Sequence, residues 1–428
     1  MNIIILVFIF LLVLLFKSSI LAPFSNPDMS TSLSLGFILI FAFLIGKRAK
    51  NLKLPQITGF IVAGIVCGPY VFKFLSIEDV KNLQLLDGLA LSLIALTAGG
   101  EMRLTRLKRR VKAISLILVF QTIVIITGFV IFCLLFQSLF SLFSEKTLLQ
   151  VFVFSLLLGV LATATSPSTT IAVITETRAR GRYADLILST AVVKDFIVII
   201  LFAFFVSWSR FMVQPAQAFD VKFLSDILLE IGGSVLLGMG VGVGIILYLK
   251  YIKSDIAIFI LGLAFFTYQI SQRLGYHPLL ICLVAGFLAE NFSSQGEKLI
   301  LAIENSSLPV YVVFFAISGA SLNLEALQTS WFLALVFVVL RAGLKFSGTY
   351  IGARLAKEDK GVQRQSWAGF ISQAGVALGM AIIVERTFPA WGNEFKALVL
   401  AVIAINQIIG PVLLQRLLLK AGEAEQGE

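Results

Sequence analysis

Three kinds of chemistry have almost nothing to work with in this chain. One histidine, His277, and three cysteines, Cys67, Cys133 and Cys282, are all that 428 residues offer to a metal cluster or a disulfide framework. The histidine stands alone before Pro278, and the cysteines fall inside apolar segments at unrelated spacings, so they read as packing residues. Charge is scarce too, at 14% of residues, against about 25% in ordinary soluble domains. No P-loop motif occurs, which leaves a nucleotide-driven pump without its phosphate cradle.

Apolar length is what the chain has. Apolar residues make up 58% of it, in runs of 14–25 that recur from end to end. Such runs predict an all-α polytopic membrane protein, because only helices and closed barrels satisfy their backbone in hydrocarbon. Candidate spans are 3–16, 33–46, 55–72, 85–100, 113–136, 148–175, 184–208, 225–249, 255–272, 278–290, 301–319, 330–353, 366–385 and 397–419. That makes 13 or 14 spans, depending on whether the short first segment crosses. Ile3–Phe16 lacks the basic start and small-residue cleavage site of a signal peptide, so it is kept as a span. The net charge of +10 would suit a nucleic acid, but the basic residues sit in short loops between spans. One alternate set of loops holds 20 lysines and arginines and the other 9, so the first set is expected in the cytoplasm with both termini. Membrane lipid is the expected partner, and nucleic acid is not.

The sequence repeats itself. LPQITGFIVAGIVCGPY (54–70) resembles YHPLLICLVAGFLAEN (276–291), and LALSLIALTAGGEMRLTRL (89–107) resembles VYVVFFAISGASLNLEAL (310–327). After each pair come one complete span and one broken span. The first breaks at TATSPS (163–168), the second at SQAG (372–375). By the span count, the two copies cross the membrane in opposite senses. Two inverted repeats with two crossed discontinuous helices is a transporter architecture. The expected divisions are 1–32 (first span and loop), 33–208 (first repeat), 209–254 (linker helix), 255–419 (second repeat) and 420–428 (short cytoplasmic tail). Gly232, Gly233, Gly238, Gly240, Gly242 and Gly244 give the linker helix a bare stripe, suited to close packing or to flexibility.

Between the first break and the next span lies the residue that the rest serves. Asp195 falls eleven residues into an apolar phase, about 16 Å deep at 1.5 Å per residue and near the middle of a core about 30 Å thick. A carboxylate there can alternate between a proton and a cation, since each neutralises a charge that the membrane disfavours. Thr163, Thr165 and Ser166 at the first break, and Ser372 and Gln373 at the second, can supply oxygens to a dehydrated cation. Back-bonding of the hydroxyls inside the helix is the alternative.

These segments resemble a known family. LPQITGFIVAGIVCGP, TAGGEMRLTRL, TATSPSTTIAVITE with AVVKD, RAGLKFSGTYIGARL and GFISQAGVALGM follow the order and spacing of bacterial monovalent cation:proton antiporters. Within that superfamily the likeness is strongest to the glutathione-gated potassium efflux (Kef-type) branch, without its nucleotide-binding regulatory domain, which is not expected in this chain. The resemblance implies a homodimer in the bacterial inner membrane. It also implies a core bundle and a dimerisation bundle, no cofactor, and exchange of Na+ or K+ for H+ by an elevator-like movement. It places Lys345 beside the acidic helix, where its charge offsets half-helix C-termini. Arg341, four residues earlier on the same face, can share that role. Glu176 matches a family position, followed by the charged loop of Arg178, Arg180 and Arg182. Relatives carry Asp, Asn or Gln just before the essential aspartate, where this chain has Lys194. Lys194 could stay neutral by burial, pair with Asp195, or give up its proton when the cation binds. With one acid in the site, one-for-one exchange is expected. The competing readings are an anion or organic-acid carrier of the same architecture, suggested by three buried cations against one acid, and a transport-inactive sensor.

Overall fold

In the computed structural model the described residues are 27–424, apart from 84, 214–220, 253, 294, 323 and 374. The expected span 3–16 lies outside them. Sixteen α-helices and a few 3-10 turns, with no strand, account for the regular structure among the described residues. In chain order come α1 (Pro27–Asn51), α2 (Gln56–Cys67), the short α3 (Ile77–Leu83) and α4 (Leu85–Glu101). They are followed by α5 (Leu104–Phe136), α6 (Leu148–Thr163), α7 (Pro167–Glu176) and α8 (Arg182–Val213). The second half opens with α9 (Val221–Tyr251), α10 (Ile256–Leu274), α11 (Pro278–Phe292) and α12 (Gly296–Ala320). It closes with α13 (Leu324–Leu355), the short α14 (Lys360–Gln365), α15 (Gly375–Thr387) and α16 (Gly392–Lys420).

Seven helical stretches are long and apolar enough to cross a membrane, or eight if the bent pair α3–α4 forms one span. The discontinuous pair α6–α7 is among the seven, while α2, α11 and the end of α12 are apolar but shorter. Several helices outrun the apolar segments that announced them. α5 continues upstream through LTRLKRRVK to reach 33 residues, because the helical ladder needs no apolar side chains once it leaves hydrocarbon.

The chain forms two compact units, and each takes helices from both repeats. Residues through Glu101 join Val235–Leu322 in one, and Met102–Ser234 join Asn323 onward in the other. In the first unit α2 packs on α12 and α4 on α11. Glycine sets both crossings, in a reciprocal pattern. A Cβ on Gly64 would strike the Ala316 carbonyl, and one on Gly319 would strike that of Ile61. At the other crossing, Gly286 meets the Leu96 carbonyl and Gly99 that of Leu283. Gly64 and Gly286 are the same position of the repeated VAG, so the internal similarity reappears as two equivalent backbone-to-backbone contacts. Small residues permit such contacts where apolarity alone gives helices no reason to associate.

In the second unit α5 lies along α13. Gly348 and Gly352 of α13 face the backbone of Gln121 and Ile117, and the rings of Phe129 and Phe337 stack at 5.7 Å. Phe154, Trp391 and Phe395 fill the neighbouring core, with Phe154 and Phe395 centroids 5.0 Å apart.

Candidate ion-binding site

The first break is written locally. Pro167 begins α7, where a missing N–H costs nothing, and it keeps Ser166 out of helical conformation (φ −75, ψ 109). Ser166 Oγ then caps the new helix, accepting from Thr169 N at 3.2 Å. The second break has no proline. A 3-10 turn over Ser366–Phe370 runs into non-helical Ile371–Gln373 before α15 begins. Gly410 of α16 gives it room, since a Cβ there would lie 2.6 Å from Ser372 Cα. The two breaks are stitched together: Ser166 N–H donates to the Ser372 carbonyl at 2.9 Å, and Gln373 Nε2 to that of Leu161 at 3.0 Å.

Two fully buried cations of α13 occupy the crossing. Arg341 donates from Nε to Ala162 O (2.8 Å), and from its two terminal nitrogens to Ile371 O and Ala164 O (both 2.7 Å). Lys345 donates to Phe370 O, Ala164 O (3.0 Å), Thr163 O (3.4 Å) and Thr165 Oγ1 (2.8 Å). The last carbonyls of α6 have no helical partner and carry its partial negative charge. Arg341 and Lys345 satisfy them, and this compensates the burial of two positive charges far from water.

The hydroxyls expected as ligands at the first break are each engaged. Thr163 Oγ1 donates to Val160 O at 2.6 Å, which is the back-bonding alternative. Thr165 accepts from Lys345 and donates to Phe370 O at 3.2 Å. Ser166 Oγ lies 3.0 Å from Ser168 Oγ and 2.9 Å from Thr169 Oγ1. Gln373 Oε1 accepts from Asn406 Nδ2 at 3.2 Å. Ser372 Oγ, Asn406 Oδ1 and Thr190 Oγ1 are buried oxygens with no hydrogen-bond partner among the described residues.

Asp195 lies on α8, 4% exposed. No described residue donates to its carboxyl and no described cation lies within ion-pair distance. Its neighbour Lys194 is fully buried and turns elsewhere. The Lys194 ammonium donates to Gln121 Oε1 of α5 and lies 4.8 Å from the centre of the Phe370 ring. Gln121, Thr349 and Asn406 were not singled out in the sequence. A lone glutamine inside the apolar run of α5 is the only signal that Gln121 offered.

Outside the apolar part, Arg182 at the start of α8 pairs with Glu358 and Asp359. Glu423 of the C-terminal tail accepts from Tyr183 N (2.8 Å) and Ala184 N (2.9 Å), which caps the helix that carries Asp195. Glu176 ends α7, and Arg178 makes the turn after it with φ 48.

Comparison with known proteins agrees with this architecture. The family described as "Sodium/hydrogen exchanger, transmembrane" matches residues 36–420. The "Probable Na(+)/H(+) antiporter 3" of Methanocaldococcus jannaschii is 21% identical over 388 residues, 89% of this chain and 95% of that protein. The "Na(+)/H(+)-K(+) antiporter GerN" of Bacillus cereus is 24% identical over 389 residues, 89% of this chain and 94% of that one. The solved structure of the sodium proton antiporter MjNhaP1 from Methanocaldococcus jannaschii at pH 8 superposes with a TM-score of 0.66. It does so at 18% identity, over 91% of this chain and 100% of that one. These relatives are named as Na+/H+ antiporters, not as glutathione-gated efflux systems.

Proposed function

The chain belongs to the sodium/hydrogen exchanger family, and we propose that it exchanges a monovalent cation for H+ at the Asp195 carboxyl by alternating access. One observation carries this reading: among the described residues of the second unit Asp195 is the one buried acid, and no described residue bonds its carboxyl, while Lys194, Arg341 and Lys345 are each engaged elsewhere. A buried, unpaired carboxylate is costly, and it is neutralised either by a proton or by a bound cation. One group that cannot hold both at once is by itself an exchange mechanism. Na+ is the favoured cargo, with K+ a second candidate, on the names of the relatives. One-for-one exchange, a homodimer, a place in the bacterial inner membrane and cytoplasmic termini belong to the same proposal. The kinship to the Kef-type branch rests on the motifs alone. An anion carrier is disfavoured, because Arg341 and Lys345 are engaged with carbonyls and do not face an open site.

In proteoliposomes with an imposed pH gradient, adding Na+ should drive proton movement, and D195N should abolish it with folding intact. The apparent KM for Na+ should rise as pH falls, because protons compete for the same oxygens, while the rate at saturating Na+ changes less. Undiminished exchange by D195N would sink the reading.

A further inference from the structure

Resting on the assignment of Asp195 as the cation site, we propose that Gln121 is a positioning residue for the transport reaction. It ties the Lys194 ammonium to α5 and thereby leaves the neighbouring Asp195 carboxyl open to a cation. Lys194 and Asp195 are adjacent on α8, about 100° apart around the helix, and a lysine stem is long and flexible enough to swing between directions. Away from water an ammonium and a carboxylate attract strongly. Among the described residues of the second unit, Asp195 is the only buried carboxylate that Lys194 could turn to. The other charges facing it, Arg341 and Lys345 of α13, are positive and repel it.

What holds Lys194 away is a chain of hydrogen bonds with fixed polarity. Thr349 Oγ1 donates its single hydrogen to the Lys345 carbonyl at 2.6 Å. It therefore presents only lone pairs to its other neighbour. That neighbour is Gln121, which must offer its Nε2 to Thr349 and so turns its Oε1 to Lys194. The amide orientation is dictated from the α13 side, not chosen locally. Gly348, beside Thr349, lets the helices approach closely enough for this reach, since a Cβ there would lie 2.6 Å from Gln121 Cα. The Phe370 ring covers the ammonium from another side. Lys194, Gln121 and Thr349 are all fully buried, so no water competes for these bonds.

The test measures Na+ affinity in two ways, by Na+-dependent rise in melting temperature of purified protein and by the KM of Na+-driven exchange. Q121L removes the acceptor and frees the ammonium to pair with Asp195. It should weaken Na+ affinity about tenfold with the maximal rate within about twofold, the size expected for one charge-assisted hydrogen bond. Q121L/K194M should regain wild-type affinity in the binding measurement, which a merely structural glutamine would not allow. If Q121L does not fold, Q121N, which withdraws the amide by one methylene, is read in the same way. A Q121L protein that binds Na+ like wild type, or a double variant as weak as the single, overturns the inference while wild-type exchange leaves the antiport reading standing. A wild-type protein that binds no Na+ sinks both.

Discussion

Arg341 shows how a charge can be a structural part of a transporter. Its guanidinium reaches three carbonyls on two different broken segments, a task suited to a planar fork of donors and not to a point charge. Replacing it with leucine would leave those helix-end carbonyls buried without donors, at a cost of at least about 3 kcal/mol if each costs about 1–3 kcal/mol. R341L should therefore melt well below wild type in detergent, and R341K should fall between, since an ammonium keeps the charge but loses the fork. Equal melting of R341K and wild type would show that charge alone matters there. This contrasts with Asp195, whose carboxyl has no partner among the described residues to lose. D195N should leave melting unchanged or raised while removing transport.

At the level of helices, the interesting glycines are those that meet backbone. Gly64 and Gly286 sit at equivalent places in the two repeats and each abuts a carbonyl of a crossing helix, whereas Gly240 and Gly244 on α9 have nothing within 4 Å. G64A and G286A should each destabilise by about 1–3 kcal/mol through overpacking, and nearly additively, because they lie at separate crossings. G240A and G244A should be neutral or slightly stabilising, by up to about 1 kcal/mol from helix propensity. Melting curves of the four single variants check the contrast. The repeat and the first break were legible in the sequence because their causes are local: the copied VAG, and a Ser166-Pro167 pair that no helix continues through unbroken. The second break was legible only as the counterpart of the first. Its makers are distant in sequence, namely Arg341 and Lys345, which take its carbonyls, and Gly410, which makes room for Ser372. The partner of Lys194 was not legible at all, because a glutamine in an apolar run gains meaning only from the helix it faces.

The inventory of buried charge bears on what one transport cycle moves. Among the described residues the second unit buries Lys194, Asp195, Arg341 and Lys345. Arg341 and Lys345 are bound to carbonyls exposed by the helix breaks, and those carbonyls persist as long as the helices stay broken, so the proposed cycle gives neither residue a change of partner. Lys194 is held by Gln121. Under the proposed mechanism Asp195 is left as the one group among them that changes its occupant, carrying either one proton or one monovalent cation. Both occupied forms have the same charge, so the one-for-one exchange proposed above predicts that a full cycle transfers none. In proteoliposomes, the rate of Na+ uptake driven by a pH gradient should then be independent of an imposed membrane potential, and a Na+ jump on a supported membrane should give no steady current. A second titrating group taking part would deliver an extra proton per cation. Uptake would then follow the potential at about 2.3 kcal/mol per 100 mV for each net charge moved. Such a current, lost in K194M, would name Lys194 as that second group and overturn one-for-one exchange.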